Sequence, residues 1–479
     1  MSKKIDLNRK SQLKLVKLES DLRKYMNRQK SDLHDIDFVN LASVTEVESG
    51  KSLSSEEFKK AIIHRMNTFA IDFKLCPGHS IILLKNNSIE FFIDFLAGFF
   101  LGVTIIPLDS SMHLEEIERV IEFSKANLII YSDQSIKQHD KLQIELFGIA
   151  IVLFTSGTTG SPKGVLISKE ALALKLEILH KFIPSDEIKN TLCFLPTFFG
   201  HGLICNSLFP IFYGSHFYIA QKLTISLASE LSNYLQRHQI NFFSSVPSHW
   251  ELIIGFCPIN SSTDLKRIHC ASAPLRAEKI TRILTWVGST SFYDVYGATE
   301  MLGWFASRRI SDDKNESSFD DFWDVDYDIS SQQELLIKSK YMFTGYWKQV
   351  KNKSDDFFNS GDLFIDNKIC GRLKNTINKN GMKINTEELN SLYIKSNVLE
   401  DVASFPIDDD FKGEDICVFI VLKKNYKLDE FKKYCSEYIS KNYYPQEIII
   451  VSSIPINSRN KTSIELLRKT YRELNEKRQ

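Results

Sequence analysis

Residues 154–164 read Phe-Thr-Ser-Gly-Thr-Thr-Gly-Ser-Pro-Lys-Gly, and this stretch limits the chain more than any other. The apolar run 149–154 in front of it reads as a buried strand, and 169–180 behind it reads as a helix. Small residues on such a connection let backbone N–H groups and hydroxyls close around an anion, while a lysine supplies the compensating charge. Thr155, Ser156, Thr158 and Thr159 alternate with Gly157 and Gly160 ahead of Lys163. That is more donor capacity than a plain turn needs, and it suits a polyphosphate. The G-x-x-x-x-G-K-[ST] phosphate loop is excluded, because Lys163 follows Pro162 and precedes Gly164.

A chain of 479 residues is long enough for two or more folding units. Its 60 basic and 60 acidic residues cancel, so no global field favours nucleic acid or an anionic membrane. Small molecules or protein carriers are the expected partners. The eight cysteines are scattered without a C-x-x-C pair, which argues against a zinc site or a disulfide framework. Cys76 and His79 have no second pair nearby and read as turn residues. The apolar stretch 95–106 is too short to span a bilayer, follows Asp94 and ends at Pro107, so no integral membrane segment is expected. The first residues, MSKKIDLNRKSQLK, lack the apolar core of a secretory signal, and the expected compartment is the cytoplasm.

Along the first half, strand and helix patterns alternate. Ser54 with Glu57 forms a capping box opening a helix over 56–69, and further helices are expected at 87–100 and 114–124. Strands are expected at 80–85, 103–107 and 127–131. This alternation predicts an α/β fold with parallel-rich sheets covered by helices. Ala97, Gly98 and Gly102 would let one helix approach the sheet closely. Towards the C-terminus the pattern changes to a small α+β unit, with strands at 416–422 and 447–451 around a helix at 428–439. Asn380-Gly381 signals a hairpin there, and Asn385 with Glu388 can cap the helix that follows.

Further segments follow the loop in a fixed order: LPTFFGHGL (195–203), CASAPL (270–275), DVYGATE (294–300), SGDL (360–363), GRLKNTINKNGMKINTEELN (371–390) and IPINSRNKTSIELLR (454–468). Together with AGFFLGVTIIPLD (97–109) and ELLIKSKYMFTGYW (334–347), they resemble the adenylate-forming (AMP-binding) superfamily. That superfamily holds acyl-CoA synthetases, adenylation domains of peptide synthetases and luciferases, and the chain most resembles a stand-alone acyl- or aryl-CoA synthetase.

The resemblance implies a large domain over 1–373 with the ATP and acyl sites, and a small mobile domain over 374–479. It implies that Ala271, Ser272 and Ala273 lie against adenine and that Tyr296, followed by Gly297, stacks on it. Thr299 would meet a phosphate and Glu300 would help hold Mg2+. Asp362 would accept the ribose hydroxyls, and Arg372 would reach ribose or phosphate. Lys374 falls at the interdomain hinge, and Lys461 matches the mobile catalytic lysine, with Asn460 where a glycine is usual. Thr155 and Lys163 would act on the phosphates together with the loop residues Ser156 to Gly160.

His201 stands where amino-acid-activating relatives carry an aspartate for the α-amino group, so an α-amino acid substrate is not expected. Val246 and Pro247 would border the acid, and the aromatic residues Phe198, Phe199, Phe242, Phe243 and Trp250 suit an aryl or medium-sized acyl group. Residues 334–347 are expected to be scaffold only. Asn378, where luciferases carry a lysine nearby, disfavours light emission. The implied activity is ATP-dependent adenylation of a carboxylic acid followed by transfer to coenzyme A. The phosphopantetheine arm of a separate carrier protein is the alternative acceptor, and a non-catalytic nucleotide-binding protein is an alternative of another class.

Overall fold

A computed structural model describes residues 41–476 apart from 113, 134, 139–145, 156–162, 258–259, 261, 273–274, 276, 312–318, 320, 349–356, 366, 380–381, 410–412 and 457–461. The loop residues Ser156 to Gly160, and with them Ala273 and Lys461, lie outside the described residues. Of the described residues, those within Met1–Asn315, Asp321–Val325 and Ser339–Asp356 form one compact unit, and those within Glu316–Asp320, Asp326–Lys338 and Phe357–Gln479 form another.

The first unit opens with β1 (Ser43–Glu46), β2 (Ser52–Leu53), α1 (Ser55–Asn67), β3 (Ser80–Leu84), α2 (Ile89–Leu101), β4 (Thr104–Leu108), α3 (Leu114–Ser124), β5 (Leu128–Tyr131), β6 (Ile136–Gln138), β7 (Ile149–Thr155), β8 (Lys163–Ser168) and α4 (Lys169–Phe182). The capping box at Ser54 and Glu57 forms as expected. Helix α2 is buried along almost its whole length, which accounts for its membrane-like composition. A Cβ at Gly98 would lie 2.4 Å from Ile105 Cδ1, so glycine sets how closely the helix rests on the sheet. Asp94, inside that helix, is fully buried and compensated by ion pairs to Lys85 and Arg65.

The chain continues through β9 (Asn190–Cys193), β10 (His216–Ile219), β11 (Phe242–Ser245), α5 (Pro247–Phe256), β12 (Arg267–Cys270), α6 (Ala277–Val287), β13 (Ser291–Ala298), β14 (Gly303–Arg309) and β15 (Asp321–Phe322). Then come β16 (Asp326–Ile329), β17 (Glu334–Lys338) and β18 (Gly345–Tyr346).

A nine-stranded sheet runs β15-β14-β13-β12-β11-β9-β10-β1-β2, and a seven-stranded sheet runs β18-β8-β7-β4-β3-β5-β6. Both are parallel at the centre and antiparallel at their edges, as the alternation of elements predicts. No helix among the described residues is long and apolar enough to cross a membrane.

One expectation fails. The segment 154–164 does not lead from a strand into a helix. Val165-Leu166-Ile167 belongs to β8, which pairs antiparallel with β7 so that Thr155 lies opposite Lys163, and α4 begins only at Lys169. A short apolar run bounded by Gly and Ser is equally compatible with a strand, and the partner that makes it one is close in sequence.

The second unit carries β16 and β17 with β19 (Phe358–Ile365) and β20 (Lys368–Arg372) in one antiparallel sheet. It also carries β21 (Thr376–Lys379), β22 (Met382–Asn385), α7 (Thr386–Ile394), β23 (Leu399–Asp409), β24 (Gly413–Leu422), α8 (Leu428–Tyr438), β25 (Glu447–Ile450) and α9 (Ile464–Glu476). Strands β21 and β22 pair with Lys379 opposite Met382, the geometry expected of a hairpin around 380–381. Asn385 Oδ1 accepts from the amides of Glu387 and Glu388, capping α7. Lys374 lies in a short 3-10 turn, Leu373–Asn375, between β20 and β21.

Candidate active site

The candidate site of the first unit is built where β7, β8, β13 and β18 terminate. Strand β13 ends in the 3-10 turn Thr299–Met301, which presents Glu300. The step from β13 into β14 is tight: register shifts at Tyr296/Gly297, and a Cβ on Gly297 would stand 2.4 Å from Gly303 O. Only glycine fits there, and the closeness of the two backbones fixes where Glu300 emerges. The Glu300 carbonyl also accepts from the Phe343 amide at 2.8 Å, tying this turn to the segment leading into β18.

Strand β18 pairs with β8, Tyr346 opposite Val165, and the Trp347 amide continues the ladder to Gly164 O at 2.8 Å. Trp347 is buried against Phe123 and Phe154. Tyr346 precedes it and, by strand alternation, points to the opposite side. There its hydroxyl donates to Glu300 Oε1 at 2.7 Å, and Lys163 Nζ sits 3.6 Å from its ring centroid. Burial first, and then the Glu300 carboxylate, push the Tyr346 phenol far above its ordinary range, so it remains a donor. Lys163 and the Glu300 carboxylate are thus joined through one side chain. Sequence reasoning assigned 334–347 to scaffold and missed Tyr346, although Gly345-Tyr346-Trp347 as a short edge strand was the available signal.

Tyr296 is half-buried with its ring edge against Phe305, 4.8 Å between centroids. Ala271 is buried and its amide bonds Ser245 O at 3.1 Å. Ser272 is exposed at φ +75°, which lets the turn present its hydroxyl to His201. His201 is held on both ring nitrogens, Nδ1 by Ser272 Oγ at 3.1 Å and Nε2 by Ser244 Oγ at 2.7 Å. Trp304 packs against the His201 ring at 5.3 Å and against buried His269 at 4.6 Å. His269 is kept neutral, its pKa driven well down by burial and then by Arg267 and His201.

Val246 is the N-cap of α5 and Pro247 its first residue. Of the aromatics expected at the acid, Phe242, Phe243 and Trp250 are fully buried, Phe242 against His269 and Trp304. Phe243 and Trp250 pack with Trp286 and Phe292 in the core under the nine-stranded sheet. Their strand and helix faces turn inward, which composition does not reveal.

In the second unit Asp362 is buried, and its Oδ1 pairs with Arg372 Nε at 2.7 Å across β19 and β20. Arg372 Nη1 also donates to Ser360 O at 2.9 Å. Glu334 accepts from the Gly361 amide and from Asn359, holding the turn that carries Asp362. Glu387 lies close to both members of the pair, and burial followed by the Asp362 charge raises its pKa.

An AMP-binding enzyme family model matches residues 144–347, and the AMP-binding enzyme C-terminal domain matches 388–461. The chain belongs to the AMP-binding, adenylate-forming enzymes. The peroxisomal OPC-8:0-CoA ligase 1 of Arabidopsis thaliana is 24% identical over 484 residues, covering 86% of this chain and 87% of that protein. Among solved structures, the o-succinylbenzoate CoA synthetase of Bacillus subtilis bound to its acyl-adenylate aligns with TM-score 0.77 and 17% identity, covering 89% of this chain and 95% of that one. The same enzyme with ATP and magnesium aligns with TM-score 0.76 and 17% identity, covering 90% and 97%.

ATP, Mg2+ and coenzyme A are the cofactors and co-substrate of this family's CoA ligases, and the residues here fit the metal. Glu300 offers hard oxygen donors, is half-buried, and has no cation paired with it among the described residues. No cluster of three or more acidic, histidine or cysteine side chains is poised to hold a metal among the described residues. A magnesium shared between nucleotide phosphates and a carboxylate would be held here by Glu300. When bound, the ion would offset charge on those phosphates.

Proposed function

We propose that this AMP-forming acid–thiol ligase activates a carboxylic acid other than an α-amino acid and passes the acyl group to coenzyme A. The carboxylate attacks the α-phosphate of ATP, pyrophosphate leaves, and the thiol then displaces AMP from the acyl-adenylate. The observation that carries the reading is the Lys163, Tyr346 and Glu300 arrangement, which puts a phosphate-seeking ammonium and a carboxylate awaiting a cation on one side chain.

In this reading Thr155 and the loop residues Ser156, Gly157, Thr158, Thr159 and Gly160 close on the phosphates, and Thr299 meets one of them. Tyr296, Gly297, Ala271, Ser272 and Ala273 hold the adenine, while Asp362 and Arg372 hold the ribose. Lys461 stabilises the charge that builds on the transferring phosphate. Lys374 is the hinge between a large domain over 1–373 and a small one over 374–479, because one site must exclude water for activation and later admit a thiol. His201, with both ring nitrogens engaged by serine hydroxyls, supports an acid without an α-ammonium group, bordered by Val246 and Pro247. The scattered cysteines, none in a C-x-x-C pair, support a reducing compartment such as the cytoplasm, although one relative is named for the peroxisome.

The test is acid-dependent ATP–pyrophosphate exchange across aryl, fatty and short polar acids, with Lys461→Ala as control. Exchange with one acid class, reduced about a hundredfold to a thousandfold by Lys461→Ala, is the expected result. Exchange unaffected by that substitution would remove the role given to Lys461, and no exchange with any acid despite ATP binding would overturn the reading.

A further inference from the structure

We infer that Tyr346 is a positioning residue that sets Glu300 for magnesium and Lys163 for the phosphates; the inference rests on the ligase reading above. Three observations support it. The hydroxyl of Tyr346 donates to Glu300 Oε1 at 2.7 Å, and this is the hydrogen bond that the Glu300 carboxylate makes among the described residues. A carboxylate that will ligate a metal is fixed in rotation by such a bond, and its second oxygen and remaining lone pairs stay open. On the other side, the ring of Tyr346 supports the Lys163 ammonium at 3.6 Å. A cation over a ring face is attracted yet keeps all three N–H donors directed elsewhere. The ring of Tyr346 therefore helps fix where the Lys163 ammonium sits.

The third observation is how firmly Tyr346 itself is held. Thr344 and Trp347 both bond into β8, to Leu166 O and Gly164 O at 2.8 Å each. Trp347 anchors the segment between Phe123 and Phe154, and Phe343 packs on the Tyr346 ring at 4.9 Å. The strand that follows the loop, the turn that carries Glu300 and the segment 343–347 are consequently one hydrogen-bonded assembly. Within it, the Tyr346 side chain contacts both charged groups.

Two substitutions separate its parts. Tyr346→Phe keeps the ring beneath Lys163 and removes the donor to Glu300. Tyr346→Leu removes both. Calorimetric binding of ATP at varied Mg2+, and of AMP without metal, is measured for each, alongside ATP–pyrophosphate exchange. In Tyr346→Phe the Mg2+ concentration giving half-maximal ATP binding should rise about tenfold, with AMP affinity unchanged. In Tyr346→Leu, ATP binding at saturating Mg2+ should also weaken, and AMP affinity should again hold.

A wild-type or lower magnesium requirement in Tyr346→Phe would overturn the inference, whatever Tyr346→Leu does. So would equal losses of ATP and AMP affinity in Tyr346→Phe, the pattern of a merely structural residue. Failure of the ligase reading looks different: the unsubstituted protein would then show no magnesium-dependent ATP binding and no acid-dependent exchange.

Discussion

Glu300 and Asp362 are both carboxylates proposed to meet the nucleotide or its metal, and they are prepared in opposite ways. Asp362 is buried and already neutralised by Arg372 at 2.7 Å, so what it has left to offer is lone pairs, which suit hydroxyl donors. Glu300 is half-buried and receives a neutral phenol rather than a cation, so its charge is uncompensated by the described residues and suits an ion. A site that binds a polar group brings its own counter-charge. A site that binds a metal leaves the counter-charge to the metal.

Breaking the Glu300 side of this contrast should have the largest effect. Glu300→Gln preserves shape and can still accept from Tyr346, but it removes the charge. Acid-dependent pyrophosphate exchange should fall about a hundredfold or more, while the urea midpoint stays close to that of the unsubstituted protein.

A second test extends the comparison to a positive group. Lys175 is fully buried, its ammonium bonded to Trp304 O and 4.3 Å from the Tyr341 ring, with no carboxylate beside it among the described residues. Burial lowers its pKa to about 8. The unfolded chain therefore binds more protons than the native one between about pH 8 and the ordinary lysine value, and stability should rise with pH across that window. Lys175→Met should stabilise the protein at pH 7 by about 2 kcal/mol, after allowing for the lost hydrogen bond, and should flatten that rise. Denaturant titrations at pH 7 and pH 10 measure both, and a loss of stability at pH 7 would mean the amine is compensated in some other way.

Arg372→Ala sharpens the Asp362 side. Because Arg372 is 54% exposed, its pair with Asp362 is screened, and the stability cost should be only about 1 kcal/mol. AMP affinity should weaken about tenfold, and Asp362→Asn should cost less in that background than alone. The smallest effect belongs to Glu387. Its raised pKa means that the native state holds the proton more tightly than the unfolded one. Its contribution to stability is therefore lost as pH rises from the ordinary carboxylate range through the native value. Glu387→Gln should reduce that fall, read as the change in urea midpoint between pH 4 and pH 7.

Local signals were legible and pairings were not. Ser54 and Glu57 announce their helix because a capping box is written in adjacent residues, and Leu114–Ser124 follows directly from helical periodicity. Motif order picked out Glu300 and Lys163, which meet on Tyr346, and Asp362 with Arg372, which pair with each other. The strand character of 163–168 went unseen, as did the position of Tyr346, because both arise when β8 finds β7 on one side and β18 on the other. Lys175 was hidden by the opposite effect, since a lysine within Ala-Leu-Lys-Leu-Glu reads as the solvated side of a helix until the packing on that face is known. That Phe243 and Trp250 belong to a core cluster was not legible, because aromatic composition does not say which face of an element is turned inward.

The pairing of Thr155 with Lys163 has a consequence for variation in the loop between them. Both ends are clamped at cross-strand distance by the hairpin, so folding meets only a slowly growing closure entropy, and doubling the loop would cost about 0.6 kcal/mol. Folding therefore exerts almost no pressure on how many residues the loop contains. Its length is free to be set by reach, which makes insertions there a ruler for the ligand: stability should tolerate them, and activity should record the first residue too many.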